Sequence, residues 1–167
     1  MLHSDETWDY WLLTIYSKLG FTYYYNNDFE NASSYFLKSL SFYNTCDDCE
    51  EVDLISLKCY YGLLELLTGN LDTSEKAIHT AESWLKENPL NKEDNEDYDA
   101  YLLYWPLYLY YDKLNQADKA NGYLEMAYEI IGKEKIEKYN NHPEKDIHPE
   151  FFYCNDIIKT YTDNIKQ

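Results

Sequence analysis

The chain has 167 residues, of which 45% are hydrophobic and 18% aromatic, enough for one domain with a core and too many for a disordered chain. It contains 31 acidic residues, 14 lysines and no arginine, which gives a net charge of −17. That charge repels phosphate backbones and anionic membranes, so we expect no direct nucleic-acid or membrane partner. The N-terminus, MLHSDETWDY, lacks a signal pattern, and no apolar run spans a bilayer, so we expect a cytoplasmic protein.

Apolar residues at spacings of three and four predict helices along most of the chain. The first predicted helix ends at the polar break of residues 26–28, and the second follows directly after it. Two further pairs are predicted at residues 51–68 with 72–87 and at 98–113 with 116–131. Strand signals are weak, because the chain has a single valine and no long alternating pattern. The sequence therefore predicts an all-α arrangement of seven or eight antiparallel helices.

Glycine and proline mark several predicted helix ends. Gly69 separates the second pair and suits a left-handed cap, Pro89 stops the helix before it, and Gly132 ends the third pair. A last apolar segment begins near Phe151. Pro106 is predicted to lie in the first turn of its helix or to kink it.

The first pair carries a spaced set of small and large residues: Leu19, Gly20, Tyr23, Ala32, Phe36 and Ser39. Small residues let two helices cross closely, and large ones fill the space beside the crossing. This pattern resembles the tetratricopeptide repeat (TPR), a helix–turn–helix unit. The resemblance implies three repeats at about residues 13–46, 55–88 and 101–134, with a capping helix at about 147–165. The second repeat departs from the family at Glu65 and the third at Tyr108.

The resemblance implies an α-solenoid whose first helices line a concave groove that binds a peptide or helix of another protein. The family's groove positions correspond here to Ser17, Phe21, Tyr24, Tyr25, Cys59, Leu63, Leu66, Leu67, Trp105 and Leu109. The basic clamp that some members use for chaperone tails is absent, so we expect an apolar segment with basic flanks instead. Alternatively, the acidic insertions between the repeats, near residues 47–54 and 89–100, the C-terminal segment or a second copy cover the groove.

The cysteines are the strongest candidates for a metal or redox site. Cys46 and Cys49 have a spacing that suits zinc or disulfide exchange, and Cys59 would supply a third ligand. No second pair follows, and the neighbouring carboxylates raise thiol pKa values, so we favour free thiols over a metal or redox site. The His-Pro-Glu triplets at 142–144 and 148–150 are interpreted as loop residues.

No phosphate loop, nucleophile motif or zinc-protease motif occurs, so we expect a non-catalytic protein without a cofactor. The leading hypothesis is an adaptor or regulatory module. One alternative is an acidic decoy that covers a basic, nucleic-acid-handling surface of another protein through the acidic stretches around residues 46–51 and 92–99. Another is a sensor that uses Cys46 and Cys49.

Overall fold

The computed structural model describes residues 6–43, 45–46, 49–91 and 97–141. This part of the chain is all helical, with seven helices: α1 (Glu6–Tyr25), α2 (Phe29–Tyr43), α3 (Glu51–Thr68), α4 (Leu71–Glu87), α5 (Asp97–Lys113), α6 (Ala117–Ile131) and α7 (Lys133–Asn141). The bounds predicted for the second and third pairs are confirmed to within one residue. The predicted capping segment at 147–165 and both His-Pro-Glu triplets lie outside the described residues.

Consecutive helices pack in adjacent pairs, α1 with α2, α3 with α4, and α5 with α6. The pairs are joined through α3, which packs against both α2 and α5, while α7 packs against α6. Residues 51–54 and 97–100, which the repeat pattern assigns to the two insertions, form the first turns of α3 and α5.

The three turns within the pairs have the same geometry. Each contains one residue in the left-handed region, Asn27 (φ 59°), Gly69 (φ 89°) or Asn115 (φ 56°). Glycine takes this conformation without cost, and asparagine tolerates it better than other side chains do. The sequence predicted this role for Gly69, which is confirmed.

Equivalent backbone hydrogen bonds close these turns. In each, the residue after the left-handed position donates its N–H to the carbonyl five residues earlier: Asp28 to Tyr23 (3.0 Å), Asn70 to Glu65 (2.7 Å) and Gln116 to Tyr111 (2.9 Å). This bond satisfies a carbonyl that the helix end would otherwise leave free. The turns recur at offsets of 42 and 46 residues, which are the offsets of the sequence pattern.

The helices of the first two pairs cross at a glycine. A Cβ on Gly20 would lie 2.9 Å from the ring of Phe36, and one on Gly62 would lie 2.8 Å from Ile78. Ala32 and Phe36 are fully buried at the first crossing. At the second, the Ser74 hydroxyl donates to the carbonyl of Gly62 at 2.6 Å. The predicted pairing of small and large residues is confirmed for these two pairs.

The third pair is built differently. It has Tyr108 at the position of the glycines, and the ring of Tyr108 lies 5.0 Å from Trp105 on its own helix. The small residues buried here are Ala120 and Ala127 on α6. Pro106 lies in the interior of α5 rather than in its first turn, and it is fully buried. Among the described helices, none combines the length and apolar composition needed to cross a membrane.

Candidate binding cleft

An apolar cleft of about 350 Å³ runs across the first helices of the three pairs. Its lining comes from α1, the turn after it, α2, α3 and α5: Tyr24, Tyr25, Asn27, Phe29, Tyr60, Leu63, Leu67, Tyr101, Trp105, Leu109 and Lys113. The contacts of α3 with α2 and α5 hold these surfaces side by side. Because α3 supplies the middle of the lining, the cleft depends on all three pairs being packed together.

Six of the ten residues predicted for the groove line this cleft: Tyr24, Tyr25, Leu63, Leu67, Trp105 and Leu109. They come from three helices that are far apart in sequence, and the packing brings them together. The TPR mapping therefore placed more than half of the set on one surface.

The other four predicted residues lie elsewhere. Phe21 is buried, with its ring edge-on to Tyr60 at 4.7 Å and to Phe36 at 4.9 Å, so it supports the cleft from within. Cys59 has no exposed surface and belongs to the core around α3, and Leu66 packs against that same core. The Ser17 hydroxyl donates to the carbonyl of Thr14 on its own helix.

The sequence analysis missed five lining residues: Asn27, Phe29, Tyr60, Tyr101 and Lys113. A signal existed for two of them. Tyr60 precedes Leu63 and Leu67 at three and seven residues, and Tyr101 precedes Trp105 and Leu109 at four and eight, so each shares a helix face with predicted residues. Phe29 shares a stripe of α2 with the buried Ala32 and Phe36, so its periodicity indicates a core position.

Aromatic rings form the two ends of the cleft. The ring of Tyr24 lies 5.4 Å from Tyr25, 5.8 Å from Tyr60 and 6.1 Å from Phe29. Across the cleft, Trp105 stacks on Tyr101 at 5.9 Å. These separations lie within the range of favourable aromatic pairs, so the rings are held by one another as well as by the helices.

The cleft carries little charge. Burial raises the pKa of Tyr24 to about 12, and burial followed by the neighbouring Tyr24 raises the pKa of Tyr25 further, so both phenols are neutral at physiological pH. Lys113 is the one charged side chain among the described lining residues. A surface of nine aromatic or leucine side chains is therefore set in a molecule with a net charge of −17.

Cys46 and Cys49 form a disulfide bond, so the expectation of free thiols is wrong for this pair. Both lie between α2 and α3, and their Cα atoms are 5.6 Å apart, which a disulfide spans readily. Cys59 is a free, fully buried thiol whose pKa is raised by burial and then by the charge of Glu82. In the described part of the chain, no three His, Cys, Asp or Glu side chains are grouped to hold a metal ion.

A polar cluster that the sequence did not predict lies between α4 and the third pair. The hydroxyls of Tyr111 and Tyr123 each donate a hydrogen bond of 2.7 Å to Oε1 of Glu82, and Nζ of Lys119 lies 2.7 Å from the same oxygen. Burial alone would raise the pKa of Glu82, but the hydrogen bonds and the lysine outweigh it and hold that pKa below its ordinary value. The cluster joins α4 to α5 and α6, and it lies outside the cleft lining.

No protein-family model, curated protein or solved structure matches this chain.

Proposed function

We propose that this chain is a non-catalytic interaction module of the tetratricopeptide type, a short α-solenoid that binds an apolar segment of another protein. The observation that carries the proposal is the cleft across α1, α3 and α5, with nine apolar or aromatic side chains among its eleven lining residues. In such a solenoid, the first helix of each pair faces the concave side, and nine of the eleven lining residues lie on those three helices.

The repeated construction supports the solenoid. The three turns share one left-handed residue and one closing hydrogen bond, and they recur at the offsets of the sequence pattern. Two of the three crossings place a glycine against a large side chain. The departure at Glu65 is accommodated locally, since the carboxylate of Glu65 accepts a hydrogen bond from Ser33 on α2.

The chemistry of the cleft favours a peptide with two or three large apolar side chains. Burying one leucine or phenylalanine side chain contributes about 1.5–3 kcal/mol, so a few anchors suffice for a specific complex. The hydroxyls of Tyr24 and Tyr25 supply hydrogen-bonding groups that fix the orientation of a backbone. We propose that lysine or arginine residues of the partner lie outside the cleft, where the negative field of the chain speeds the encounter.

A display library of random 12-residue peptides selected on the full chain tests this proposal. We expect the selected peptides to share apolar residues at two or three positions. Binding should weaken at least tenfold in the double variant Tyr24→Ser/Trp105→Ser, which removes a ring from each end of the cleft. The variant Leu109→Glu keeps every ring, places a charge in the cleft and should weaken binding as strongly.

The matched control is Leu71→Ser/Met126→Ser, which removes two exposed apolar side chains outside the cleft. It should bind the peptides as the unmodified chain does, and far-ultraviolet circular dichroism should show helical spectra for all variants. Peptides that bind the cleft variants and the unmodified chain equally would reject the proposal. Selected peptides that are uniformly basic, and that dissociate as salt rises, would favour the acidic decoy instead.

The disulfide supports a second candidate function, redox sensing at the junction of α2 and α3. The Cys46–Cys49 ring is very short, so it removes little entropy from the unfolded chain and gives little stability against reduction. In a reducing compartment, such a disulfide would be transient. A glutathione disulfide would accept the two electrons when the two thiols join, and both protons would go to the glutathione thiols formed.

Thiol titration in glutathione buffers tests this candidate. We expect a reduction potential above about −300 mV, the limit below which structural disulfides resist the glutathione pool. A pair that remains oxidised at every physiological ratio would contradict redox sensing.

A further inference from the structure

The apolar lining of the cleft is aromatic more than aliphatic. Six of its nine apolar residues carry rings, and the other three are leucines. Tyr60 and Tyr101 are buried at the base of the cleft, while Tyr24, Tyr25 and Trp105 are half-buried beside it. Grooves lined by aromatic rings are the surfaces on which proline-rich segments dock in other recognition domains. The composition of the lining therefore bears on the kind of segment that binds.

The polar atoms of the lining are mainly hydrogen-bond donors without a partner. The hydroxyls of Tyr24 and Tyr25, Nε1 of Trp105 and Nζ of Lys113 make no hydrogen bond within the described part of the chain, and none of these atoms is enclosed. Both phenols are neutral, so each can donate its proton to an acceptor. The eleven lining residues include no carboxylate. The cleft therefore needs acceptors from its ligand.

A polyproline II segment supplies those acceptors better than a helix or an extended strand. A helix uses its carbonyls internally, so the donors of the cleft would lose water without gaining a partner. A strand brings N–H groups as well, and the described elements around the cleft are helices, which offer no open edge to accept them. Proline has no N–H, and polyproline II leaves its carbonyls free, so such a segment presents acceptors alone.

The dimensions of the cleft suit a short segment of this kind. Packed helices lie about 8–10 Å apart, so a cleft that runs from α1 across α3 to α5 spans about 20 Å. Polyproline II rises about 3.1 Å per residue, and about six residues therefore cross the cleft. Because this helix has three residues per turn, side chains three apart lie on one edge, and about two or three of them face the lining.

We propose that the partner segment is proline-rich and lies across the cleft as a polyproline II helix, an inference that rests on the proposed function and names its ligand. Its prolines pack on the rings of the lining. Its carbonyls accept hydrogen bonds from the hydroxyls of Tyr24 and Tyr25 and from Nε1 of Trp105. The segment is already extended before it binds, so it loses little conformational entropy in the complex.

Isothermal titration calorimetry of the full chain with three peptides of blocked ends tests the segment. The first has ten residues, with leucine at every third position, lysine at both ends and proline elsewhere. The second has alanine in place of every proline, and the third is the second held helical by a side-chain bridge. We expect the proline peptide to bind at least tenfold more tightly than either alanine peptide.

Two results of this titration overturn the proposal. One is an alanine peptide, free or helical, that binds as tightly as the proline peptide or more tightly. The other is a chain that binds none of the three peptides, because residues 142–167 or a second copy fill the cleft.

Conservative variants test the hydrogen bonds while keeping an aromatic ring at each position. Tyr24→Phe/Tyr25→Phe removes two hydroxyl donors and should weaken binding of the proline peptide at least threefold, and Trp105→Phe should do the same by removing Nε1. The matched control, Tyr16→Phe/Tyr128→Phe, removes two hydroxyls outside the cleft and should leave the dissociation constant unchanged. An unchanged constant in both cleft variants, or an equal loss in the control, contradicts the proposal.

The proline-rich segment and the proposed function fail in different ways. Display peptides that bind the unmodified chain, lose binding in Leu109→Glu and share no proline would leave the interaction module in place and overturn the proline-rich segment. Display peptides that bind Leu109→Glu and the unmodified chain equally would overturn both. Prolines shared between the leucines or aromatic residues of the selected peptides would support the segment.

Discussion

The second and third helix pairs have the same turn and different crossings. In the second pair, Gly62 lets α3 approach Ile78 so closely that a methyl group would collide with it. In the third pair, the alanines of α6 are buried at the crossing, and tyrosine hydroxyls bind the carboxylate of Glu82 on α4. The turn thus sets where the two helices of a pair meet. Close apolar packing then holds the second pair together, and polar contacts to α4 help to hold the third pair together.

The largest effect is expected from a side chain at the glycine crossing. Gly62→Val would place its Cβ 2.8 Å from Cγ1 and Cδ1 of the buried Ile78 and 3.3 Å from the Cβ of Ala77. Overpacking of this kind costs about 1–3 kcal/mol, and we expect the upper end because two atoms of Ile78 are involved. Urea unfolding measures the loss. A change below about 0.5 kcal/mol would show that the two helices are not in close contact there.

The next effect tests the polar cluster of the third pair. Glu82→Gln keeps one acceptor oxygen but removes the charge, and it should cost about 1–2 kcal/mol at pH 7. We attribute most of this to the two tyrosine hydroxyls, because Lys119 is nearly half exposed and its ion pair is screened by water. Parallel urea unfolding of the unmodified chain and the variant gives the difference.

That difference should depend on pH with a defined sign. The pKa of Glu82 is lower in the folded chain than its ordinary value of 4.5, so the stabilisation by its charge is present above that value. It is lost as pH falls through the folded pKa. The stability difference between the unmodified chain and Glu82→Gln should therefore shrink on acidification, and a difference that is constant down to pH 3 would refute the role of the charge.

A smaller effect is expected at Ser74, which lies where the other two pairs have Ala32 and Ala120. Ser74→Ala removes the buried hydrogen bond to the carbonyl of Gly62 and should cost about 1 kcal/mol. The carbonyl keeps its place in α3, so the helix content should not change. Thermal unfolding would show a modest fall of the midpoint, and an unchanged midpoint would indicate that alanine packs there equally well.

The smallest expected effect has the opposite sign. A Cβ on Gly122 of α6 would meet nothing within 4 Å. Gly122→Ala should therefore stabilise the chain by about 0.5–1 kcal/mol, since alanine loses less entropy in a helix. The contrast between Gly122→Ala and Gly62→Val separates a glycine required by packing from one that is not. A destabilised Gly122→Ala variant would contradict the open space beside α6.

Much of the architecture could be predicted from local signals. Helix bounds, the role of Gly69 and the contact of Gly20 with Phe36 follow from periodicity and residue size. The cleft was predicted in part, since the mapping identified Trp105 and Leu109 but treated whole helix faces as exposed. Cys59 shows why this fails: it lies on the predicted face, yet the packing of three pairs around α3 leaves it no exposed surface.

Contacts that depend on side-chain rotation or long-range packing could not be predicted. The cluster at Glu82 joins residues separated by 29 and 41 positions, and no short motif encodes it. The disulfide between Cys46 and Cys49 was considered as a redox site but disfavoured because of the acidic neighbours. Those carboxylates affect the pKa of a thiol, whereas the distance between the two Cα atoms decides whether the bond can form.

Photo-crosslinking from inside the cleft tests the central claim most directly. A benzophenone side chain at position 109 should crosslink a selected apolar peptide, and the same group at position 126, on the exposed side of α6, should not. Mass spectrometry should place the crosslink on the apolar positions of the peptide. Equal crosslinking from both positions, or crosslinking from position 126 alone, would contradict a binding cleft formed by α1, α3 and α5.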